Sequence, residues 1–371
     1  MRIGIDARLY GTKHGGIGRY AQKLIEELEK TDQNNQYVVF LQTDGFDAYR
    51  PQNPNFQKVR ADFRAYSLGE QLLFPSLLSK YKLDLVHFTH FNAPIFYGGK
   101  FVVTIHDLII SHYPTSRATT LNPLVYQIKL KAYDFLVKAV ARKAIKIISV
   151  SDYTKQDIVK LLKIKPDKIQ TIYEGVDLPA VSGQTSNDVL ERLGLAGDFV
   201  MYVGSAYPHK NLEKLIEAFA IIAAKYPELK LVLAGRKNFF YERLAGTVDE
   251  KLKDKIVFTG YLSDEDLAVL YRRAKLYVFP SLIEGFGLPP LEAQYYGLPV
   301  ASSNATCLPE ILGDSAVYFD PNSAADMAEK ISATLADDAL RQKLIAAGRE
   351  NLKKYSWTKM AEEISAIYKN V

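Results

Sequence analysis

Short runs of β-branched and apolar residues alternate with segments of helical period from one end of the chain to the other. RIGIDA, QYVVFL, LDLVHF, FVVTI, KIISV and QTIY in the first half, then FVMYV, KLVLA, KIVFTG, KLYVF and AVYF in the second, read as buried strands. Between them GRYAQKLIEELEK sets Tyr20, Ala21, Leu24, Ile25 and Leu28 on one helical face, and NLEKLIEAFAIIAAKY does the same with Leu212, Leu215, Ile216 and Phe219. This βα repetition, run through twice, predicts an α/β protein of two Rossmann-like doubly wound domains, each a parallel sheet flanked by helices, facing a cleft. LPAVSGQTSND, Leu178–Asp188, has no periodicity and is rich in Pro, Ser, Gly and Asn, so the linker is expected there. Ligands of open α/β sheets bind beyond the carboxyl ends of the strands, which singles out His87, His106, Gly204, Gly235, Gly260 and Pro280.

Three of those strand ends lead into segments with chemistry. PSLIEGFGLPPLEAQYYGLPV, residues 280–300, runs from a strand into a helix. Gly285 and Gly287 let backbone N–H groups approach a ligand, Pro289 and Pro290 suit a helix start, and the helix N-terminus offers partial positive charge to an anion. Glu284 and Glu292 can flank one small ligand; the bland alternative is a Gly/Pro loop with two solvated acids. FVMYVGSAYPHKNLEKL repeats the arrangement, with His209 and Lys210 as cations for a diphosphate and Asn211 as the expected N-cap. In FVVTIHDLIISHYP, His106 ends a strand, where it can exchange a proton with a bound group or simply pack with Asp107 fixing its tautomer. GTKHGGIGRYAQKL places Gly15, Gly16 and Gly18 in a loop before a helix; Gly16, Gly18 and Ala21 match a dinucleotide fingerprint only formally, since LYGTKH separates them from the strand.

Composition narrows the class. With 371 residues, 48% hydrophobic and 24% charged, the chain is long enough for two ordinary globular cores. Its one cysteine, Cys307, and the absence of a signal-like apolar run in MRIGIDARLY point to a reducing cytoplasm. Asp264 and Asp266 mimic a metal-binding DxD, but Ser263 ahead of them reads as a helix cap; His87 and His90 lack a third ligand; Asn304, Ala305 and Thr306 form a glycosylation sequon that is empty in a cytoplasmic protein. No metal site is therefore expected. Residues 1–180 carry a charge of +8 and residues 181–371 a charge of −3 within the overall +5. Residues 123–146 concentrate this: Lys129, Lys131, Lys138, Arg142, Lys143 and Lys146 face Asp134 alone. Helical spacing puts Lys131, Lys138, Arg142 and Lys146 near one face and Ile128, Leu136, Ala139 and Val140 elsewhere, a polybasic strip suited to an anionic membrane surface or a polyanionic acceptor, or merely to solvent.

Taken together, GGIGRY, TIHDL, SVSDYTKQDI, IYEGVD, GSAYPHKN, GYLSDEDL, EGFGLPPLE and LPEILGDSAVYFDP make the chain resemble, over essentially its whole length, the GT-B glycosyltransferases of family GT4, whose EX7E motif corresponds to Glu284 and Glu292. The resemblance implies an N-terminal acceptor-side domain (1–180), a C-terminal donor domain (181–357) and a final helix (358–371) crossing back to the first. It implies that Glu284 and the backbone of Gly285, Phe286, Gly287 and Leu288 hold the donor hexose and phosphates, that Glu292 binds the ribose, that Lys210 meets the diphosphate, and that His106 reaches the donor sugar. The Gly16 loop would approach diphosphate or acceptor, and Gly204 would border the phosphates. Where the family often has an arginine after that glycine, this chain has Ser205, and His209 is a candidate to compensate. The implied reaction is retaining, metal-independent hexosyl transfer, with mannose favoured, from a nucleoside diphosphate sugar to a glycan or lipid-linked hydroxyl, without a nucleic-acid partner or a cofactor. A UDP-glucose-type donor is the nearest alternative; an NAD-dependent oxidoreductase and a non-catalytic sugar-binding protein are the others.

Overall fold

The computed structural model describes residues 1–115, 122–176 and 188–371. These fall into two compact units, Met1–Gly175 with Tyr355–Val371, and Val176–Lys354. The expected linker lies outside the described residues except for Asp188, which opens a short helix.

The first unit holds a seven-stranded, all-parallel sheet: β1 (Arg2–Asp6), β2 (Gln36–Leu41), β3 (Phe56–Arg60), β4 (Leu85–Phe88), β5 (Phe101–Ile105), β6 (Lys146–Ser149) and β7 (Ile169–Thr171), in the order β3-β2-β1-β4-β5-β6-β7. β4 and β5 are buried along their whole length, as a sheet covered on both faces requires. β3, FQKVR, was not among the expected strands: it is an edge strand whose alternating exposure is carried by polar Gln57 and Arg60. The helix Gly15–Thr31 begins at the glycines themselves, so Gly16 and Gly18 lie in its first turns and not in a loop ahead of it. The Gly11 N–H donates to the Gly18 carbonyl at 3.2 Å, and buried Tyr20, Ala21, Leu24 and Leu28 anchor the helix.

The closing helix Trp357–Lys369 packs on that same helix. Thr358 Oγ1 donates to Glu27 Oε2 at 2.7 Å, and Ser365 Oγ reaches Asp32 Oδ2 at 3.3 Å. Deeper in, a chain of hydrogen bonds runs from Tyr368 Oη to His87 Nδ1 (2.6 Å), from His87 Nε2 to Thr104 Oγ1 (2.8 Å) and from Thr104 to Tyr20 Oη (2.9 Å). Both nitrogens of His87 are thereby spent on structure. Burial, with the charge of His106 adding to it, depresses the His87 pKa to about 3, so the ring is neutral and accepts at one nitrogen while donating at the other.

The second unit is six-stranded: β8 (Phe199–Val203), β9 (Lys230–Ala234), β10 (Ile256–Gly260), β11 (Leu276–Phe279), β12 (Val300–Ser303) and β13 (Ala316–Phe319), ordered β10-β9-β8-β11-β12-β13. All pairings are parallel. β12, VASS, escaped the apolar-run criterion because two of its four buried positions are serines. The strand order reverses between β8 and β11, so the loops that leave these two strands diverge around a crevice at their carboxyl ends.

Candidate active site

Those two loops carry Gly204 and Pro280 of the singled-out strand ends, while Gly235 follows β9 and Gly260 ends β10. β8 ends at Val203, and Gly204 follows with φ +153°, its N–H donating to the Ala234 carbonyl at 2.9 Å. A Cβ at Gly204 would lie 2.5 Å from Tyr202 Oη, so the backbone passes where no side chain fits. Tyr202 Oη donates to the Ser205 carbonyl and Tyr241 Oη to the Gly204 carbonyl, both at 2.9 Å, which fixes the loop from below. A short 3₁₀ turn, Pro208–Lys210, then delivers His209 and Lys210 ahead of the helix Leu212–Lys225.

Asn211 does not cap that helix with its side chain. It sits in the left-handed region (φ 62°), and its amide donates to the carbonyls of Pro280 (3.1 Å) and Pro321 (2.8 Å). The expected cap is thus a clamp that ties the β8 loop to the β11 loop, reinforced by the Leu282 N–H donating to the His209 carbonyl at 2.8 Å.

Across this seam Lys210 Nζ and Glu284 Oε1 form an ion pair at 2.6 Å, the two side chains 18% and 9% exposed. The pair joins the Phe279 ring, whose centroid lies 5.7 Å from the ammonium. Glu284 is held from behind: its N–H donates to Thr306 Oγ1 at 3.2 Å, and the Cys307 thiol donates to the carbonyls of Glu284 and Phe286, both at 3.3 Å. Thr306 adopts φ +57°, a conformation that costs a β-branched residue free energy and marks a position fixed by its surroundings. Burial raises the Cys307 thiol well above the usual range, so it acts here as a neutral donor.

Beyond Glu284 the chain turns at Gly287 (φ +99°) into the helix Leu288–Tyr295. Prolines at 289 and 290 have no N–H, which leaves Gly287 and Leu288 as the amide donors at this helix start. Neither amide donates a hydrogen bond among the described residues. Glu292, buried one turn further on, accepts from Tyr271 Oη at 3.2 Å.

His209 does not supply the charge that Ser205 lacks. Burial and then the neighbouring Lys210 ammonium lower its pKa to about 4, so the ring is neutral near pH 7. Lys210 is the cation the two loops present together with the helix start.

His106 and Gly16 belong to the first unit. His106 leaves β5 with both ring nitrogens engaged, Nδ1 with Glu174 Oε1 at 3.1 Å and Nε2 with the Thr89 carbonyl at 2.9 Å. Burial opposes its charge, but the Glu174 carboxylate and the Thr89 carbonyl outweigh this and raise the pKa. Its orienting acid is Glu174, in IYEGVD after β7, and not Asp107, whose carboxylate accepts from the Ile109 N–H at 3.0 Å. His90 accepts the Asn92 N–H at Nδ1 (3.2 Å), and His87 is committed to Tyr368 and Thr104, so HxxH is a structural feature. Ser263 Oγ accepts the Asp266 N–H at 3.1 Å and Asp266 pairs with Arg192 at 2.7 Å, so the DxD is a helix start.

Comparison with known proteins agrees with this geometry. Residues 14–179 match the family model described as Glycosyltransferase Family 4, and residues 191–351 match Glycosyl transferases group 1. O-antigen chain mannosyltransferase B of Escherichia coli is 28% identical across 95% of this chain and 96% of its own. Among solved structures, sucrose-phosphate synthase of Thermosynechococcus elongatus superposes with a TM-score of 0.78 at 22% identity, covering 100% of this chain and 98% of that one. HepE of Anabaena, solved with UDP and glucose, gives 0.73 at 18% identity over the full length of both. Two family models that between them span both units, a full-length relative and two doubly wound sheets place the chain in family GT4, as a glycosyltransferase of the GT-B fold.

Proposed function

We propose that the chain transfers a mannosyl residue from a nucleoside diphosphate mannose, GDP-mannose first, to a hydroxyl of a growing glycan, with retention at the anomeric carbon. The Lys210–Glu284 pair carries this reading: a cation and an acid, mutually held at the two loops of a topological switch point, beside a helix start with two free amides. On this reading the diphosphate takes over Lys210 Nζ and the Gly287 and Leu288 amides, which stabilise the negative charge that develops as the leaving group departs, without a metal ion. Glu284, released from Lys210, accepts from hexose hydroxyls, and Glu292 from the ribose. The C1–O bond to the diphosphate breaks as the acceptor oxygen bonds to C1 on the same face, and the acceptor proton passes to the departing phosphate oxygen. His106, whose two ring nitrogens are taken by Glu174 and the Thr89 carbonyl within the first unit, is given no part in this step. The mannosyl donor is supported by the E. coli relative, a mannosyltransferase of an O-antigen chain. The HepE complexes with UDP and glucose support a second reading, a UDP-glucose donor.

Turnover of GDP-mannose and UDP-glucose in the presence of EDTA, with the product anomer read by proton NMR, tests the proposal. The expected result is transfer from GDP-mannose that survives chelation and yields the donor's own anomeric configuration. Lys210→Ala and Glu284→Ala are each expected to lower kcat/KM by about 10²-fold, the loss of one preorganised electrostatic contact. Inversion, dependence on added Mg²⁺ or Mn²⁺, or near-native turnover in either folded variant would overturn the assignment of these roles.

A further inference from the structure

The first unit presents an apolar face that the described residues leave uncovered. Two helices, Leu68–Ser79 and Pro123–Lys143, cover one side of the sheet, because the crossovers β3→β4 and β5→β6 run in the same direction along it and share the usual right hand. Phe74 and Leu78 of the first helix and Tyr133, Val137 and Val140 of the second enter one core cluster. The segment after β4 stitches them together: Asn92 donates to Glu70, the Ile95 N–H to Gln71, and Lys143 Nζ to the Ile95 carbonyl.

The outward sides of this layer are unlike a solvated surface. Leu68, Leu72 and Leu73 of the first helix are exposed, as are Leu124, Ile128 and Phe135 of the second, and Phe96 lies on the segment between. Among the described residues these seven are the most exposed of all leucines, isoleucines and phenylalanines, from Leu72 at 58% to Leu68 at 79%. Single exposed apolar residues mean nothing, but seven gathered on one layer mark a contact surface. Leu124 and Phe135 are eleven residues apart, about 16 Å along the helix.

Charge identifies the partner. At 100° per residue Lys131, Lys138 and Arg142 fall within about 80° of Phe135, on the same outward side. The expectation from spacing alone is corrected in two respects: Ile128 faces outward beside the lysines, and Lys146 has left the helix to open β6, its ammonium donating to the Asp167 carbonyl. At the end of the same helix Arg142 also borders a groove of about 560 Å³ lined by Lys146, Lys163, Lys165, Lys168 and Asp167. No described helix is long and apolar enough to cross a membrane.

We infer that this face docks on an anionic lipid bilayer, Leu68, Leu72, Phe96, Ile128 and Phe135 entering the headgroup region while Lys131, Lys138 and Arg142 pair with lipid phosphates. The combination is that of an interfacial anchor, apolar side chains framed by cations, and not of a purely electrostatic strip. Docking is independent of the sugar transferred, so its failure leaves the reaction proposed above untouched.

Flotation of the full chain with vesicles of phosphatidylcholine, with and without 30% phosphatidylglycerol, tests it. Binding is expected on the anionic vesicles, weakened but not abolished by 0.5 M salt. Ile128→Ser with Phe135→Ser is expected to lower partitioning by roughly tenfold for each side chain removed, and Lys131→Gln with Lys138→Gln to erase the preference for anionic lipid. Phe135→Trp adds an exposed indole to a chain whose only tryptophan, Trp357, is buried, and its emission is expected to shift to the blue on anionic vesicles. Serine variants that float like the native chain, equal binding to both vesicle types, or the absence of any binding would overturn the inference. So would sedimentation showing a dimer that the serine variants dissolve, since the face would then be covered by a second copy.

Discussion

Thr306 illustrates how much of the site rests on a residue with no chemistry of its own. It holds a left-handed backbone, its hydroxyl accepts the Glu284 N–H, and the next residue's thiol braces the carbonyls of Glu284 and Phe286. The loop that aims Glu284 at Lys210 is thus fixed from β12's side of the sheet. Thr306→Ser keeps the hydroxyl and relieves crowding at Cβ, so activity is expected to be retained. Thr306→Ala removes the acceptor and is expected to lower kcat by about tenfold, because Glu284 then samples positions outside productive geometry. Comparing kcat and Tm for the two variants checks this: equal activities would make Thr306 a packing residue only. Little in the sequence points to the role. A threonine in NATC reads as a sequon, and the positive φ that distinguishes it is a property of the fold around it. The placement of Glu284, Gly287 and Lys210 ahead of two helix starts, by contrast, was legible because a glycine pair, two prolines and a Lys before a helix leave local marks on the chain.

Elements divide in the same way. Eleven apolar runs became strands since buried parallel strands need continuous β-branched sequence, whereas FQKVR at an edge and VASS with its buried serines do not show that signal. The helix at Gly15 was hidden for the opposite reason: glycines suggest a loop, and only Tyr20, Ala21 and Leu24 packing inward keep the first turn helical. His87 was legible as a strand-end histidine but not as the partner of Tyr368, which lies 281 positions away. That bond couples the closing helix to β4 and β5. Tyr368→Phe leaves a buried imidazole nitrogen without its partner at a cost of about 1–3 kcal/mol, so calorimetry should show the first unit melting several degrees lower. An unchanged melting temperature would mean that the apolar contacts of Trp357, Met360 and Ile364, with the Thr358–Glu27 and Ser365–Asp32 hydrogen bonds, hold the helix without it.

At the scale of the whole molecule, buried histidines set how the two units respond to acid. In the first unit His87 and His90 are both depressed to about 3, by burial and then by the charge on His106. In the second, His209 is depressed to about 4 by burial and then by Lys210. An unfolded histidine titrates near 6.5, so between that value and the folded one the unfolded chain binds more protons, and stability falls as pH is lowered through this window. Two such groups act in the first unit and one in the second. His106 acts with the opposite sign: its raised pKa adds stability that is complete below 6.5 and disappears as the pH rises through its folded value. The first unit is therefore squeezed from both sides, and Asp32, lowered to about 2 because hydrogen bonds from Asn34, Asn35 and Tyr37 outweigh its burial, costs it further stability only once the pH drops below 4. Hydrogen exchange followed from pH 7 to pH 4.5 is expected to show the amides of β4 and β5 losing protection about twice as steeply per pH unit as those of β8 and β11. His87→Leu is expected to flatten the first unit's slope toward that of the second, because a side chain that cannot ionise removes one linked proton. If β8 and β11 open first, or if the slope in the first unit is unchanged by His87→Leu, buried imidazoles do not govern the acid response and the paired carboxylates of each unit take their place.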